Sequence, residues 1–346
     1  MKAARFNGPE DISIEEVEKP EIQEDSDILL KVTHTCICGS DLWPYRGESD
    51  QEPGTPIGHE PMGIVEETGD DVVSVQEGDR VIIPFSTSCG ECEFCRKGLY
   101  TSCTDMAFWD EKTGGGQGQY VRVPNADGSA VTVPDEHADD EEMLERLLPL
   151  TDVMCTGHHA AVSAEVSEGD TVIVIGDGAV GLCGVLAAQR LGAERIIAMG
   201  QHDDRLQVAE QFGATHTINA EPDKAVQRAL ELTDGGANHV MECVGLAETL
   251  NEAAQVCRPG GNVGYVGVPH IGDDFDLEAF FRKNLTLQGG VAPVRKYIED
   301  LMDDVLQGVL DPSPIFTMEV GIDGVPDGYQ AMHDRDEIKV LVRPWE

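Results

Sequence analysis

The sequence predicts an α/β chain of two domains, a β-rich half followed by a doubly wound parallel sheet. Three observations lead there. Short apolar runs such as "DILLKVT", "MGIVEE" and "DRVIIPF", set between Gly, Pro and acidic turns, fill residues 1–155. From Val172 onward strand-like and helix-like patterns alternate, the rhythm of repeated strand–helix units. Directly after the apolar run "TVIVIG", glycines 176, 178 and 181 stand in G-x-G-x-x-G spacing.

Each element follows in order. "TVIVIG" reads as a buried strand, and "AVGLCGVLAAQRLGA" has helical apolar spacing that stops at Gly192. "RIIAM" is the next strand and "DDRLQVAEQFGA" the next helix. "HTIN" and "HVMECV" are strands on either side of the helix "AVQRALEL". "LAETLNEAAQV" is a helix, and "GGNVGYVG" and "LTLQGGV" close the sheet. After Pro293 one helix ("RKYIEDLMDDVLQG") and two strand-like ends ("FTMEV", "KVLVRP") are too little for a third domain. The expected division is 1–155, 156–292 and a return segment, 293–346, that packs on the first part.

At 346 residues the chain is long enough for two cores. Its 65 acidic against 24 basic residues give a net charge of −41, spread along the whole length. Such a charge excludes nucleic acid and anionic membranes as partners. It also repels itself unless salt shortens the Debye length to about 3 Å near 1 M, so a halophilic, high-salt cytoplasm is expected. No apolar run approaches the ~20 residues of a membrane span, and "MKAARFNGPEDISIEEVEKP" lacks the apolar stretch of a secretory signal. In a cytoplasmic protein, ten cysteines point to metal or catalysis.

The segment "CGECEFCRKGLYTSC" spaces Cys89, Cys92, Cys95 and Cys103 as C-x2-C-x2-C-x7-C. Four thiolates in one loop suit tetrahedral Zn²⁺ and leave no open position, so this zinc is expected to be structural. A disulfide pair conflicts with the compartment, and an iron–sulfur cluster lacks its usual flanking pattern.

In the glycine motif, Gly176 permits the tight turn, Gly178 lets a pyrophosphate approach, and Gly181 allows close helix packing. Ala179 and Val180 complete the turn at the helix N-terminus. An acid usually ends the next strand and binds the adenosine ribose, but here Gly200, Gln201 and His202 stand there, with Arg205 close behind. NADP is therefore the expected coenzyme; Asp203 and Asp204 soften the preference and leave NAD usable.

"TCICGSDLWPYRG" and "GTPIGHEPMGIVEETGDDV" supply Cys38, His59 and Glu60. A thiolate, an imidazole and a carboxylate form a zinc set with one position left for water or substrate. "GHEPMGIVEETGDDV" fits the pattern G-H-E-x2-G-x5-G-x2-V. On these residues the chain resembles the zinc-dependent alcohol dehydrogenases of the medium-chain dehydrogenase/reductase superfamily, over its whole length. The resemblance implies a GroES-like catalytic domain joined to a Rossmann domain, and a homodimer or homotetramer. It makes Cys38, His59 and Asp152 ligands of a catalytic zinc, with Cys155 as the rival to Asp152. Glu60 is either a ligand or a carboxylate behind the metal, and Asp41 either orients His59 or caps a turn. Ser40 matches the hydroxyl that relays the alcohol proton, while Trp43 stands where many relatives continue the relay with histidine. Thr156, Val244, Gly245 and Val266 match positions near the nicotinamide cofactor, and Lys339 one at the pyrophosphate. Phe85 and Trp109 are pocket candidates by position alone.

The expected activity is alcohol oxidation or carbonyl reduction, with hydride passing between a zinc-bound alkoxide and nicotinamide. A sugar or polyol dehydrogenase is the alternative within the same fold, and a substrate screen separates the two. A non-catalytic, nucleotide-binding zinc protein is the alternative outside it; an open zinc position beside Ser40 argues against that reading.

Overall fold

The computed structural model describes residues 1–109, 113–270, 272 and 274–346. The chain divides into one unit of Met1–Asp152 with Pro293–Glu346 and a second of Val153–Ala292. The division falls ahead of residue 155 because the helix Val153–Ser163 is continuous and stays whole in the second unit.

In the second unit, six parallel strands lie side by side in the order His216–Asn219, Arg195–Gly200, Thr171–Ile175, Ala237–Glu242, Cys257–Tyr265, Thr286–Gly289. Chain order reverses between Thr171–Ile175 and Ala237–Glu242, the switch point at which doubly wound sheets bind ligands. Val172, Ile173, Val174 and Ile175 are all buried, as expected of a parallel strand covered on both faces. The helices Ala179–Arg190, Asp203–Gln211, Pro222–Leu232 and Ala247–Val256 connect these strands. Two start signals are visible: Asp203 and Asp204 favour a helix N-terminus electrostatically, and Pro222 needs no N–H partner there.

The first unit holds a sheet ordered Phe316–Gly321, Lys339–Arg343, Ile28–Ile37, Met62–Thr68, Arg80–Ile82, Val131–Thr132, with Tyr120–Val123 also paired to Ile28–Ile37. A smaller sheet pairs Lys2–Gly8 with Asp11–Glu16 and Thr55–Pro56. The last strand runs antiparallel to Ile28–Ile37, with Val340 opposite Ile37 and Leu341 opposite Cys36. Alternating apolar periodicity did not reveal the helix Glu141–Leu147, which Asp140 caps by accepting from the Met143 N–H. No helix among the described residues is long and apolar enough to cross a membrane.

An ionic cluster ties this unit's C-terminus to its start. Arg343 donates to Glu141 at 2.8 Å and to Glu145 at 2.6 Å, and also pairs with Glu319. Buried His34 has its Nε2 2.7 Å from Arg343 Nη1 and 3.0 Å from Glu141. Burial and then Arg343 pull the His34 pKa down to about 4, outweighing Glu141. The folded chain thus keeps this ring neutral while the unfolded chain protonates it near pH 6.5. Stability is fully present above that value and falls as pH drops toward 4, by about 2 kcal/mol between pH 7 and 5. His34→Gln keeps an acceptor for Arg343 but cannot titrate. Its melting temperature should depend less on pH over that range by several degrees. Parallel melting curves for the two proteins would remove the assignment.

Candidate metal centres and nucleotide cradle

Cys38 follows the strand Ile28–Ile37 and opens the turn Gly39–Asp41; His59 follows the short strand Thr55–Pro56. Asp152 lies at the end of the turn Leu148–Thr151. Ligand atoms of Cys38, His59, Glu60 and Asp152 all lie within 4.8 Å of one another. Asp152 Oδ2 is 3.4 Å from both Cys38 Sγ and His59 Nε2, and Glu60 Oε1 is 4.0 Å from His59 Nε2. Cys155 is fully buried in the following helix and is not part of this group.

The charges of this group call for a cation. Burial, with Glu60 and Asp152 beside it, pushes the Cys38 thiol up to about 11. Burial disfavours charge on His59, yet Asp41, Cys38 and the bond to Asp152 raise its pKa well above the ordinary value. Glu60 is neutralised by Lys339, but the Cys38 sulfur and the Asp152 carboxylate converge on one imidazole, a set that a cation at its centre stabilises. Soft sulfur, ring nitrogen and carboxylate oxygen are the donors that a zinc ion accepts. The residues present fit the ion.

A second layer of side chains holds these donors. His59 Nδ1 lies 3.2 Å from Asp41 Oδ1, which fixes the ring so that Nε2 faces the other donors. Asp41 Oδ2 accepts from the Cys38 N–H at 3.0 Å and from Gln117 Nε2 at 3.2 Å. Gln117 in turn accepts from the Tyr329 hydroxyl at 3.1 Å and donates to the Cys36 carbonyl. Glu60, fully buried, is gripped on both oxygens: Lys339 donates to Oε1 at 2.7 Å and the Cys36 thiol to Oε2 at 2.9 Å. Thr151 also reaches Oε2.

This arrangement gives Lys339, expected at a pyrophosphate from the resemblance, a partner within its own unit. It is 0% exposed and closed into an ion pair with Glu60, with a further bond to the Ile37 carbonyl. Sequence spacing carried no signal for the roles of Cys36, Gln117 and Tyr329, because each is a long-range contact.

Ser40 Oγ is 3.4 Å from His59 Nε2, on the side where the donors converge. The Phe85 ring stands edge-on to His59 at 6.4 Å. Trp43 is half-buried on the short helix Leu42–Tyr45, and Trp109 packs against the core formed by Ile28, Leu30 and Val121.

Four sulfurs gather in the segment 89–103. Cys92 Sγ is 3.5 Å from Cys95 and 3.9 Å from Cys103, and Cys103 is 3.4 Å from Cys89. Zinc–sulfur bonds of ~2.3 Å at tetrahedral angles place sulfurs about 3.8 Å apart, so the cluster has the right size. All ten cysteines are free, which leaves no disulfide here. Backbone N–H groups of Cys95 and Thr104 hold the Cys92 thiol down to about 6, while burial pushes Cys95 up to about 12.

In the second unit Gly176 turns at φ +116°, and a side chain at Gly181 would put its Cβ 2.0 Å from the Gly176 carbonyl. At Gly178 the space is open, with nothing within 4 Å of a Cβ. Beyond it begins the helix Ala179–Arg190, with Ala179 and Val180 half-buried in its first turn. Open space at a helix N-terminus is what a pyrophosphate requires. Gly245 and Val244 donate their N–H groups to the buried Glu242 carboxylate, and Val266 donates to the Glu242 carbonyl. Thr156 is buried in the helix Val153–Ser163.

The strand end that lacks an acid of its own is reached by one from the glycine motif. Asp177, between the first two glycines of the motif, sends its carboxylate there: Oδ2 accepts from the N–H of Gln201 at 2.7 Å and of His202 at 2.9 Å. His202 Nδ1 lies 2.8 Å from the same oxygen. A Cβ on Gly200 would come 2.6 Å from Asp177 Cβ and Oδ2. Arg205 is buried on the helix face that also carries Leu206 and Ala209.

Comparison with known proteins adds the family. Residues 179–307 match the zinc-binding dehydrogenase model, and residues 24–135 match the alcohol dehydrogenase GroES-like domain. A Bacillus subtilis protein described as zinc-type alcohol dehydrogenase-like protein AdhB is 34% identical, over 99% of this chain and 100% of its own length. Alcohol dehydrogenase TADH from Thermus sp. ATN1 superposes with TM-score 0.90 at 34% identity, covering 99% of both chains. Zinc-dependent alcohol dehydrogenase 2 from Streptococcus pneumonia gives TM-score 0.89 at 30% identity, over 99% of this chain and 98% of its own.

Proposed function

The chain belongs to the zinc-type alcohol dehydrogenases of the medium-chain dehydrogenase/reductase superfamily, and from that premise we propose that it oxidises a small alcohol, or reduces the matching carbonyl, with a nicotinamide dinucleotide. The observation that carries this reading is the convergence of Cys38, His59, Glu60 and Asp152 within 4.8 Å. Cys38, His59 and Asp152 would hold the catalytic zinc with Glu60 behind them, and Cys89, Cys92, Cys95 and Cys103 the structural one. When bound, the catalytic ion supplies Lewis acidity that favours loss of the alcohol proton.

The chain's own residues do the rest. Asp41 holds His59 by Nδ1 and directs Nε2 to the donor centre. Lys339 and Cys36 restrain Glu60, so that Cys38, His59 and Asp152 form the donor set and one position stays open to substrate. Ser40, 3.4 Å from His59 Nε2, accepts the alcohol proton at Oγ and passes it outward. Phe85 walls the place beside His59 and limits water there. Gly176, Gly178 and Gly181 seat the dinucleotide phosphates. NADP was the coenzyme expected from Gly200; the carboxylate of Asp177 at that place supports NAD instead.

The net charge of −41 supports a high-salt solvent, and a cytoplasmic homodimer or homotetramer completes this reading. The test is a nicotinamide absorbance screen of simple alcohols, polyols and sugars with both coenzymes, run at low salt and in about 1 M KCl. Turnover of simple alcohols, rising with KCl, is the expected result. Turnover confined to polyols or sugars would move the substrate class, and none with any of them would remove the enzyme assignment.

A further inference from the structure

We propose that Asp177 selects the coenzyme: it stands in for the missing strand-end acid, accepts the ribose hydroxyls of NAD(H) and repels the 2′-phosphate of NADP(H). The proposal deepens the dinucleotide-dependent reading above and rests on it.

In the usual arrangement the acid grows from the end of the second strand and meets the adenosine ribose. Here the second strand, Arg195–Gly200, ends without a side chain. The acid arrives instead from the phosphate loop, and its Cβ and carboxylate lie against Gly200 so closely that any Cβ at 200 would come 2.6 Å from them. Glycine at 200 is therefore what Asp177 requires, rather than room for a phosphate. Three donors fix the carboxylate: the N–H groups of Gln201 and His202 at 2.7 and 2.9 Å and the His202 ring at 2.8 Å. All three go to Oδ2. Among the described residues Oδ1 has no hydrogen-bond partner, which leaves it as an acceptor for a ribose hydroxyl. The side chain is only 11% exposed, so its charge is poorly screened by solvent. Gln201 and His202, which stand where the strand-end acid is usually found, give their backbone donors to Asp177, and His202 its Nδ1 as well.

The experiment is titration calorimetry of the purified chain with NAD⁺ and NADP⁺ in the absence of alcohol. The wild-type chain should bind NAD⁺ at least about tenfold more tightly than NADP⁺. Asp177→Asn keeps an oxygen for Gln201 and His202 but loses the charge, and should narrow that ratio about tenfold, chiefly by binding NADP⁺ better. A wild-type preference for NADP⁺, or an unchanged ratio in Asp177→Asn, overturns the proposal and leaves the dehydrogenase reading intact. Binding of neither dinucleotide overturns both. If the variant does not fold, competition on the wild-type chain decides. Stronger displacement of NAD⁺ by 5′-AMP than by 2′-AMP supports the carboxylate's role, and the reverse order removes it.

Discussion

Cys38→Ser is expected to lower kcat/KM for every accepted alcohol by about 10³-fold or more, because a bound metal's Lewis acidity contributes several kcal/mol to such a barrier. A hydroxyl replaces the one soft donor among Cys38, His59, Glu60 and Asp152 and binds zinc far more weakly than a thiolate. Elemental analysis should find one metal fewer per chain than in the wild type. Melting should change little, since the same residues are also tied by Asp41, Gln117 and Lys339. Wild-type turnover in this variant would mean that the four donors serve another purpose.

Cys92→Ser should behave in the opposite way. The segment 89–103 has only two single turns, Cys95–Lys97 and Tyr100–Ser102, and among its cysteines only Cys95 and Cys103 are buried. With so little apolar burial, the metal takes the place of a core. Zinc bound by four cysteines is worth about 10 kcal/mol or more to a small segment, so the variant should melt at least about 10 °C lower. Its remaining folded fraction should keep wild-type substrate preference. Calorimetric melting with parallel assays on a substrate panel checks both halves; unchanged melting would mean that the loop needs no metal.

Local pattern made much of this protein legible. The cysteine spacing and the G-x-G-x-x-G turn are read within one loop each, because their chemistry depends on near neighbours. The G-H-E segment marked His59 and Glu60, and strand–helix alternation marked the parallel sheet. What stayed hidden depends on residues far apart in the chain. The resemblance placed Lys339 at a pyrophosphate and carried no sign of its bond to Glu60, 279 positions earlier. Asp177 was visible between two glycines, but its reach across to Gln201 and His202 is a property of adjacent strands and not of the motif. At Gly200 the sequence showed only that the strand brings no acid of its own, and the Asp177 carboxylate that lies against it was not legible there.

The counter-cation of Glu60 sits on the last strand of the chain, and its bond to the Ile37 carbonyl spans 302 positions. During synthesis on the ribosome, the donors at 38, 59, 60 and 152 emerge long before Lys339 does. Residues 153–292, contiguous in sequence, can complete their own sheet in the meantime. The contiguous unit that carries the glycine motif is thus ready first. The unit with the cysteine, histidine and carboxylate donors waits for the final stretch of translation, because closing around Glu60 before residue 339 emerges would bury a glutamate with no lysine to neutralise it.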